Sequence, residues 1–218
     1  MYHFHLADDH PLFRNALVSI VEQHFPEAVI TESIDLESTL TALSTSDDID
    51  LLLLDLTMPG SQDLFGLVTV RERFATTPVA IVSAREDIDT ISRAIGHGAS
   101  GYIPKSAGPA VILEAIHAIT NGESWIPAFA RKRLKPLNSE EVTLAGRIAN
   151  LTPQQYRVLC LLREGGLNKQ IAYQLGVTEA TVKAHITSIF RKLQVNNRTQ
   201  AVVMLSKMSL DSVDAGFA

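Results

Sequence analysis

The sequence predicts an α/β domain built on a five-stranded parallel sheet, joined to a small all-α domain. Three observations lead there. The first 120 residues alternate short β-rich runs with amphipathic stretches, and from residue 151 onward the periodicity is helical throughout. Charge divides along the same line. Residues 1–120 carry 6 Lys/Arg against 17 Asp/Glu, a net of −11, whereas residues 121–218 carry 13 against 7, a net of +6. An acidic half joined to a basic half fits two domains with different partners, the basic one meeting nucleic acid.

Composition excludes several classes. With 46% hydrophobic and 20% charged residues over 218 positions, the chain has the make-up of an ordinary globular protein, long enough for two modest cores. No apolar run approaches the ~20 residues of a membrane helix. The start, MYHFHLADDH, has no basic segment followed by a long apolar stretch, so no secretory signal is expected. Cys160 has no second cysteine to pair with, and RVLCLLREG places it on an apolar helix face as a packing residue. A cytoplasmic location fits these features.

The β-rich runs are YHFHLA (2–7), AVIT (28–31), LLLLDL (51–56), VAIVSA (79–84) and GYIP (101–104). Between them lie helical stretches, beginning with PLFRNALVSIVEQHF, whose Pro11 suits a first helical position, and continuing over 36–44, 64–74, 87–96 and 108–120. Five β-α units imply a parallel sheet with helices on both faces, and the flavodoxin-like order 2-1-3-4-5 suits this length. LLLL and VAIV do not alternate, as expected of strands covered on both sides. Pro104 has no amide to donate and belongs at an edge strand or a strand end, which the fifth position of that order provides.

Residues 121–150 are less regular and read as a connector in which SEEVTLAGRIAN has helical spacing. Trp125 is expected to pack this connector against a domain. The short basic run RKRLK is either a phosphate contact or a solvated surface. From 151 the helices follow in order. TPQQYRVLCLLREG has Thr152 as cap and Pro153 at its first position, NKQIAYQLG is short, TEATVKAHITSIFRKL starts from Thr178, and NRTQAVVMLSKM is a fourth. The domain boundaries expected are 1–120, 121–150, 151–208 and a frayed tail over 209–218.

Chemistry gathers at the strand ends. LADDH ends the first strand with Asp8 and Asp9, and LLLLD ends the third with Asp55. In the order 2-1-3-4-5 these strands are neighbours. Three carboxylates placed so closely repel one another unless a cation sits among them, and oxygen donors at this density suit a hard ion such as Mg²⁺. An aspartate also serves as a nucleophile toward phosphorus. Ser83, at the end of the fourth strand, offers a hydroxyl for a phosphoryl oxygen, and Lys105, after the fifth, offers an ammonium for its charge. Ligands of such sheets bind at this rim.

DDH, LLLLDLTMPG, VSA and GYIPK resemble the receiver domain of bacterial two-component response regulators over roughly residues 1–120. The resemblance implies that Asp55 accepts a phosphoryl group from a histidine kinase. It further implies that Asp8, Asp9, Asp55 and the Thr57 backbone carbonyl bind Mg²⁺, and that Ser83 and Lys105 hold the phosphoryl oxygens. Such a domain supports only its own phosphoryl transfer and dephosphorylation, with Arg85 and the Thr57 side chain at positions that tune the latter. Tyr102 matches the aromatic switch position, although an amphipathic ring on a sheet edge reads the same in sequence. Ser106 stands where many receivers have Pro.

In the basic half, the second and third helices have helix-turn-helix length, with Gly176 in the tight connection QLGVTEA. The second of the pair enters the major groove in such units. Ile186, Ile189, Phe190 and Leu193 make its buried stripe, which leaves Lys183, Ala184 and Thr187 on the exposed face. A lysine bonds guanine acceptors, and Ala or Thr methyls touch thymine. Lys169, Thr178, Thr181, Lys192 and Arg198 are candidates for phosphate contacts, which hold register without reading sequence. From charge and helix length alone, a four-helix packing module with a solvated basic face remains open.

The stretch LTPQQYRVLCLLREGGLNKQIAYQLGVTEATVKAHITSIFRKLQVNNRTQAVV resembles the DNA-binding domain of LuxR-type regulators, and with the receiver makes the chain similar to NarL/FixJ-type response regulators. That resemblance implies binding to double-stranded DNA and a dimer contact through the fourth helix, 197–208. Gln155 and Gln170 stand where that family usually has Glu, each removing a charge from a scaffold pair. His185 fits a structural hydrogen-bonding role. Alternatives from other classes are a DNA binder whose receiver answers to a small molecule or protein without phosphate, a flavodoxin-like enzyme, and an interaction module with no nucleic-acid role. No G-x-G-x-x-G or P-loop follows the first strand, against the enzyme reading.

Overall fold

The computed structural model describes residues 1–46 and 48–208, and the tail expected over 209–218 lies outside them. The chain divides into two compact units, Met1–Leu137 and Asn138–Ala218. The connector expected over 121–150 is therefore shared between them: residues 121–137 belong to the first unit and the helix that follows to the second.

The first unit alternates β1 (His3–Ala7), α1 (Pro11–His24), β2 (Val29–Ser33), α2 (Leu36–Thr45), β3 (Leu51–Asp55), α3 (Phe65–Arg73), β4 (Val79–Ser83), α4 (Ile88–Gly96), β5 (Gly101–Pro104) and α5 (Pro109–Thr120). The strands form one parallel sheet in the order β2-β1-β3-β4-β5. Every residue of β3 and β4 is buried, which is why LLLLD and VAIVS show no polar alternation. β2 closes one side of the sheet and is correspondingly wet, with Val29 and Glu32 exposed. Register sets the site. Ala7 pairs with Leu54 and Asp55 with Val82, so the residues that follow β1 come to lie beside the end of β3.

β5 is the last strand, yet all four of its residues are buried. The chain after α5 returns along it: the Trp125 amide donates to Ser100 O (3.1 Å) and the Tyr102 amide to Trp125 O (3.0 Å). The edge that Pro104 seemed to leave open is thus covered. The Trp125 ring is buried, and its Nε1 donates to Glu114 Oε1 at 3.2 Å. Gly101 is what permits the approach. A Cβ there would stand 2.5 Å from Ile119 Cδ1 and 3.0 Å from Trp125 O.

The second unit contains α6 (Ser139–Ala149), α7 (Pro153–Arg163), α8 (Asn168–Leu175), α9 (Glu179–Leu193) and α10 (Arg198–Met208). The four expected helices are joined by α6, the helical stretch of the connector, which opens on a capping box between Asn138 and Glu141. A second capping box, Thr152 with Gln155, opens α7. Gly176 caps α8 at φ +64°, the left-handed conformation its tight turn requires. The core gathers Leu144, Tyr156, Leu159, Ile171, Val182, Ile189, Leu193 and Leu205, with Cys160 buried among them as a packing residue. On α9 the buried positions are Val182, Ile189 and Leu193, with Ile186 and Phe190 half-buried, so the apolar stripe begins one turn earlier than expected.

Candidate functional site

β1, β3, β4 and β5 each deliver part of the site to the same end of the sheet. Asp55, the last residue of β3, is 1% exposed, and Asp8, just past β1, is 2% exposed. Asp9 is half-buried beside them. Lys105, one residue beyond β5, reaches across with its ammonium 2.8 Å from Asp8 Oδ2 and 2.9 Å from Asp55 Oδ2. Asp55 also accepts from the Thr57 amide (3.2 Å to Oδ1) and hydroxyl (3.0 Å to Oδ2). These donors hold the carboxylate in one orientation at the mouth of the strand.

Ser83 ends β4 fully buried, and its hydroxyl accepts from the Arg85 amide at 3.2 Å. Tyr102 lies on β5 two residues before Pro104, the ladder partner of Ser83. Its ring is fully buried, and its hydroxyl donates to Arg85 O at 2.6 Å. Burial pushes the Tyr102 phenol well above its usual range, opposed by a hydrogen bond with Ser83. Tyr102 therefore stays a neutral donor and tethers the β4–α4 loop. Ser106 adds a second tether, its hydroxyl donating to Glu86 Oε1.

The charges of the cluster do not balance. Three carboxylates face one ammonium, which leaves two formal negative charges. Asp8 Oδ2 and Asp9 Oδ1 are buried and make no hydrogen bond. The close approach of Lys105 Nζ to Asp8 Oδ2 is a charge contact without hydrogen-bond alignment. Orphaned carboxylate oxygens around a net charge of this sign fit a divalent cation. His10 completes the group: one ligand atom from each of Asp8, Asp9, His10 and Asp55 lies within 4.8 Å of all the others. Sequence reasoning passed over His10, whose only signal was its place directly after the acid pair. Arg14 was missed too. It donates to Asp8 O (2.7 Å) and to Glu32 Oε2 (2.7 Å), bracing the turn from α1.

The residues expected on the DNA side separate into two groups. Lys169 on α8, Thr178 and Thr181 at the start of α9, and Lys183, Ala184 and Thr187 along it are all exposed. Thr178 also caps α9, accepting from the Thr181 amide at 3.1 Å. Lys192 and Arg198 turn inward instead. The Lys192 ammonium donates to Asn150 O (2.8 Å) and Gln155 Oε1 (2.7 Å), and Arg198 donates to Gly166 O (2.7 Å) and Leu162 O (3.3 Å). Cations near helix C-termini bond the last carbonyls in this way. Gln155 keeps the bond to Lys192 without a charge and spends its amide group on Ser188 Oγ at 3.1 Å. Arg191 was overlooked. It is exposed and four residues beyond Thr187, so it continues the Lys183–Thr187 stripe by one turn.

Among the described residues no helix is long and apolar enough to cross a membrane. Two family models match the chain: the response regulator receiver domain over residues 4–117 and the bacterial regulatory proteins of the luxR family over residues 149–205. The glycerol metabolism activator of Pseudomonas putida is 42% identical over 208 residues, covering 93% of this chain and 94% of its own. The nitrate/nitrite response regulator NarL of Escherichia coli K12 is 31% identical, over 91% of this chain and 92% of its own. Among solved structures, RcsB of Salmonella enterica serovar Typhimurium, bound to a promoter in the presence of phosphomimetic BeF₃⁻, aligns with TM-score 0.56 at 22% identity, over 94% of this chain and 97% of that one. That likeness concerns the fold. Matched domain by domain and along nearly its whole length, the chain belongs to the phosphorylation-controlled response regulators of transcription, a receiver domain joined to a luxR-family DNA-binding domain.

Proposed function

We propose that Asp55 is the phosphoacceptor. The observation that carries this is the convergence of Asp8, Asp55 and Lys105 from three different strand ends onto contacts of 2.8–2.9 Å. In the transfer, an Asp55 carboxylate oxygen attacks the phosphorus of a kinase phosphohistidine. The P–N bond breaks as the P–O bond forms, and the imidazole leaves with its electron pair. Lys105 moves from its carboxylate partners to the incoming phosphoryl oxygens, and Ser83 donates its hydroxyl to another of them. Asp8, Asp9, Asp55 and the Thr57 carbonyl hold Mg²⁺, which neutralises charge on the phosphoryl oxygens when bound. Arg85 and the Thr57 side chain flank the route a hydrolytic water takes to the aspartyl phosphate.

The output is a change in DNA binding. Drawing Ser83 onto the phosphoryl group breaks its bond with the Arg85 amide, and the β4–α4 loop that the buried Tyr102 tethers through Arg85 O then shifts together with the ring. Lys183, Ala184 and Thr187 read base edges in the major groove, and Lys169, Thr178, Thr181 and Arg191 contact phosphates. Lys192 and Arg198 serve DNA binding indirectly, by fixing α9 and α10. α10 supplies the contact of a homodimer on DNA. The protein works in the cytoplasm with a histidine kinase as its donor and has no enzymatic role beyond its own phosphorylation and dephosphorylation.

The test is phosphodonor labelling followed by intact mass. In Mg²⁺ the wild type gains one phosphoryl group, and Asp55→Asn gains none while keeping its circular dichroism. Labelling of the variant to the wild-type extent would remove Asp55 from this role.

A further inference from the structure

His10 has no part in the reading above, yet its imidazole lies over the carboxylates. It is the N-cap of α1, where a side chain commonly accepts from the first helical amides, but it makes no capping bond. Its backbone amide donates instead to Asp8 Oδ1 (2.8 Å), which fixes the turn and swings the ring back toward the acids. Nδ1 stands 2.9 Å from Asp9 Oδ1, 3.1 Å from Asp8 Oδ1 and 3.8 Å from Asp55 Oδ2. The side chain is 61% exposed, so an ion arriving with its water meets the ring first.

Nδ1 pairs with Asp8 Oδ1 and lies 3.5 Å from Lys105 Nζ, yet one ring nitrogen and one ammonium do not balance the carboxylates around them. Nδ1 carries at most one hydrogen, and three carboxylate oxygens converge on it. Asp8, itself 2% exposed, still keeps Oδ2 without a hydrogen bond, as Asp9 keeps Oδ1. A divalent cation among these atoms gives Asp9 Oδ1, and Asp8 Oδ2 beside its charge contact with Lys105, a further partner and takes the Nδ1 lone pair.

The nitrogen changes which ion the site favours. Carboxylates and water suit Mg²⁺, whereas imidazole adds little to a hard ion and much to a borderline first-row one. We infer that His10 Nδ1 is a metal ligand of the Asp8–Asp9–Asp55 cluster, so that the site favours a borderline first-row divalent ion such as Zn²⁺ over Mg²⁺, with the harder Mn²⁺ serving as a paramagnetic probe of the same ligands. The inference rests on the cluster being the cation-dependent phosphoacceptor site proposed above, and adds to it a choice of ion made by this residue.

Pulsed electron paramagnetic resonance of the full chain loaded with Mn²⁺ reads the bond directly. The wild type shows the ¹⁴N coupling of a directly bonded imidazole. His10→Ala and His10→Gln both lose it, the second while still offering an oxygen donor in the same place. Competition titration finds Zn²⁺ affinity down about tenfold or more in His10→Ala, with Mg²⁺ affinity changed far less. Bound Mn²⁺ without nitrogen coupling, or coupling that persists in both variants, overturns the assignment to His10. In either case wild-type labelling of Asp55 in Mg²⁺ leaves the phosphoacceptor reading standing. Failure of the wild type to bind either ion and to be labelled removes both.

Discussion

At the scale of single residues, burial separates chemistry from scaffold. His5 is fully buried on β1, its ring bonded to Thr31 Oγ1 (2.7 Å) and Ser33 Oγ (2.9 Å). Burial, and the neighbouring His3, lower its pKa from the ordinary 6.5 to about 4, with Glu32 opposing. The sign follows from proton counting. Below pH 6.5 the unfolded chain protonates this ring and the folded chain does not, so stability present at neutral pH is lost as pH falls toward 4. Between pH 7 and pH 5 this group accounts for a loss of about 2 kcal/mol. Urea titrations at the two pH values should show that loss reduced by a similar amount in His5→Gln; equal losses in both proteins would contradict the assignment. A second prediction concerns α9. Lys183→Ala should weaken binding to a selected site more than to random duplex, and Arg191→Ala should weaken both and lower the salt slope by about one. Competition titrations over a range of salt check this, and indistinguishable behaviour of the two variants would mean that the stripe does not divide into reading and anchoring positions.

At the scale of elements, the strand ends were legible and the reach of long side chains was not. The placing of Asp8, Asp9, Asp55, Ser83 and Lys105 at one rim was legible from sequence because a parallel sheet delivers every strand's C-terminal residue there, whatever the rotamers. Lys192 and Arg198 were read as phosphate contacts because sequence gives charge without direction, and both fold back onto helix-end carbonyls. Lys192→Ala should therefore cost the all-α unit about 1–3 kcal/mol, because Asn150 O and Gln155 Oε1 lose a charged donor. Thermal unfolding measures it, and an unchanged midpoint would return Lys192 to the DNA side. The cover over β5 was equally hidden, since Trp125 belongs by sequence to an irregular connector. Gly101→Ala should destabilise the sheet unit by about 1–3 kcal/mol through the clash with Ile119 and Trp125 O. The same substitution at Gly165, where no atom lies within 4 Å, meets only the backbone strain of φ +85°. Denaturation of Gly101→Ala to the wild-type midpoint would show that the strap gives way without cost.

At the scale of the whole molecule, one acidic unit carries the receiver fold with its acidic cluster and one basic unit presents an exposed helix face. Two units, their fold classes and their division of charge were all readable, because periodicity and charge are properties of long windows. The division of the connector was not, because 121–137 is held by backbone bonds to β5 and α6 by its capping box, neither of which has a strong composition signal. In the proposed function the phosphoryl group adds charge and acceptor oxygens at Asp55, and it acts on DNA binding through a difference in its contacts between two arrangements of the chain. Ser83, Lys105 and Tyr102 are the residues proposed to supply that difference. The most direct measurement is the affinity of the full chain for a duplex selected from random sequence, at fixed salt and Mg²⁺, with and without a small-molecule phosphodonor. The account predicts that the donor tightens binding by the wild type and leaves Asp55→Asn unchanged; an equal response from both proteins, or none from the wild type once its phosphorylation is verified, would contradict it.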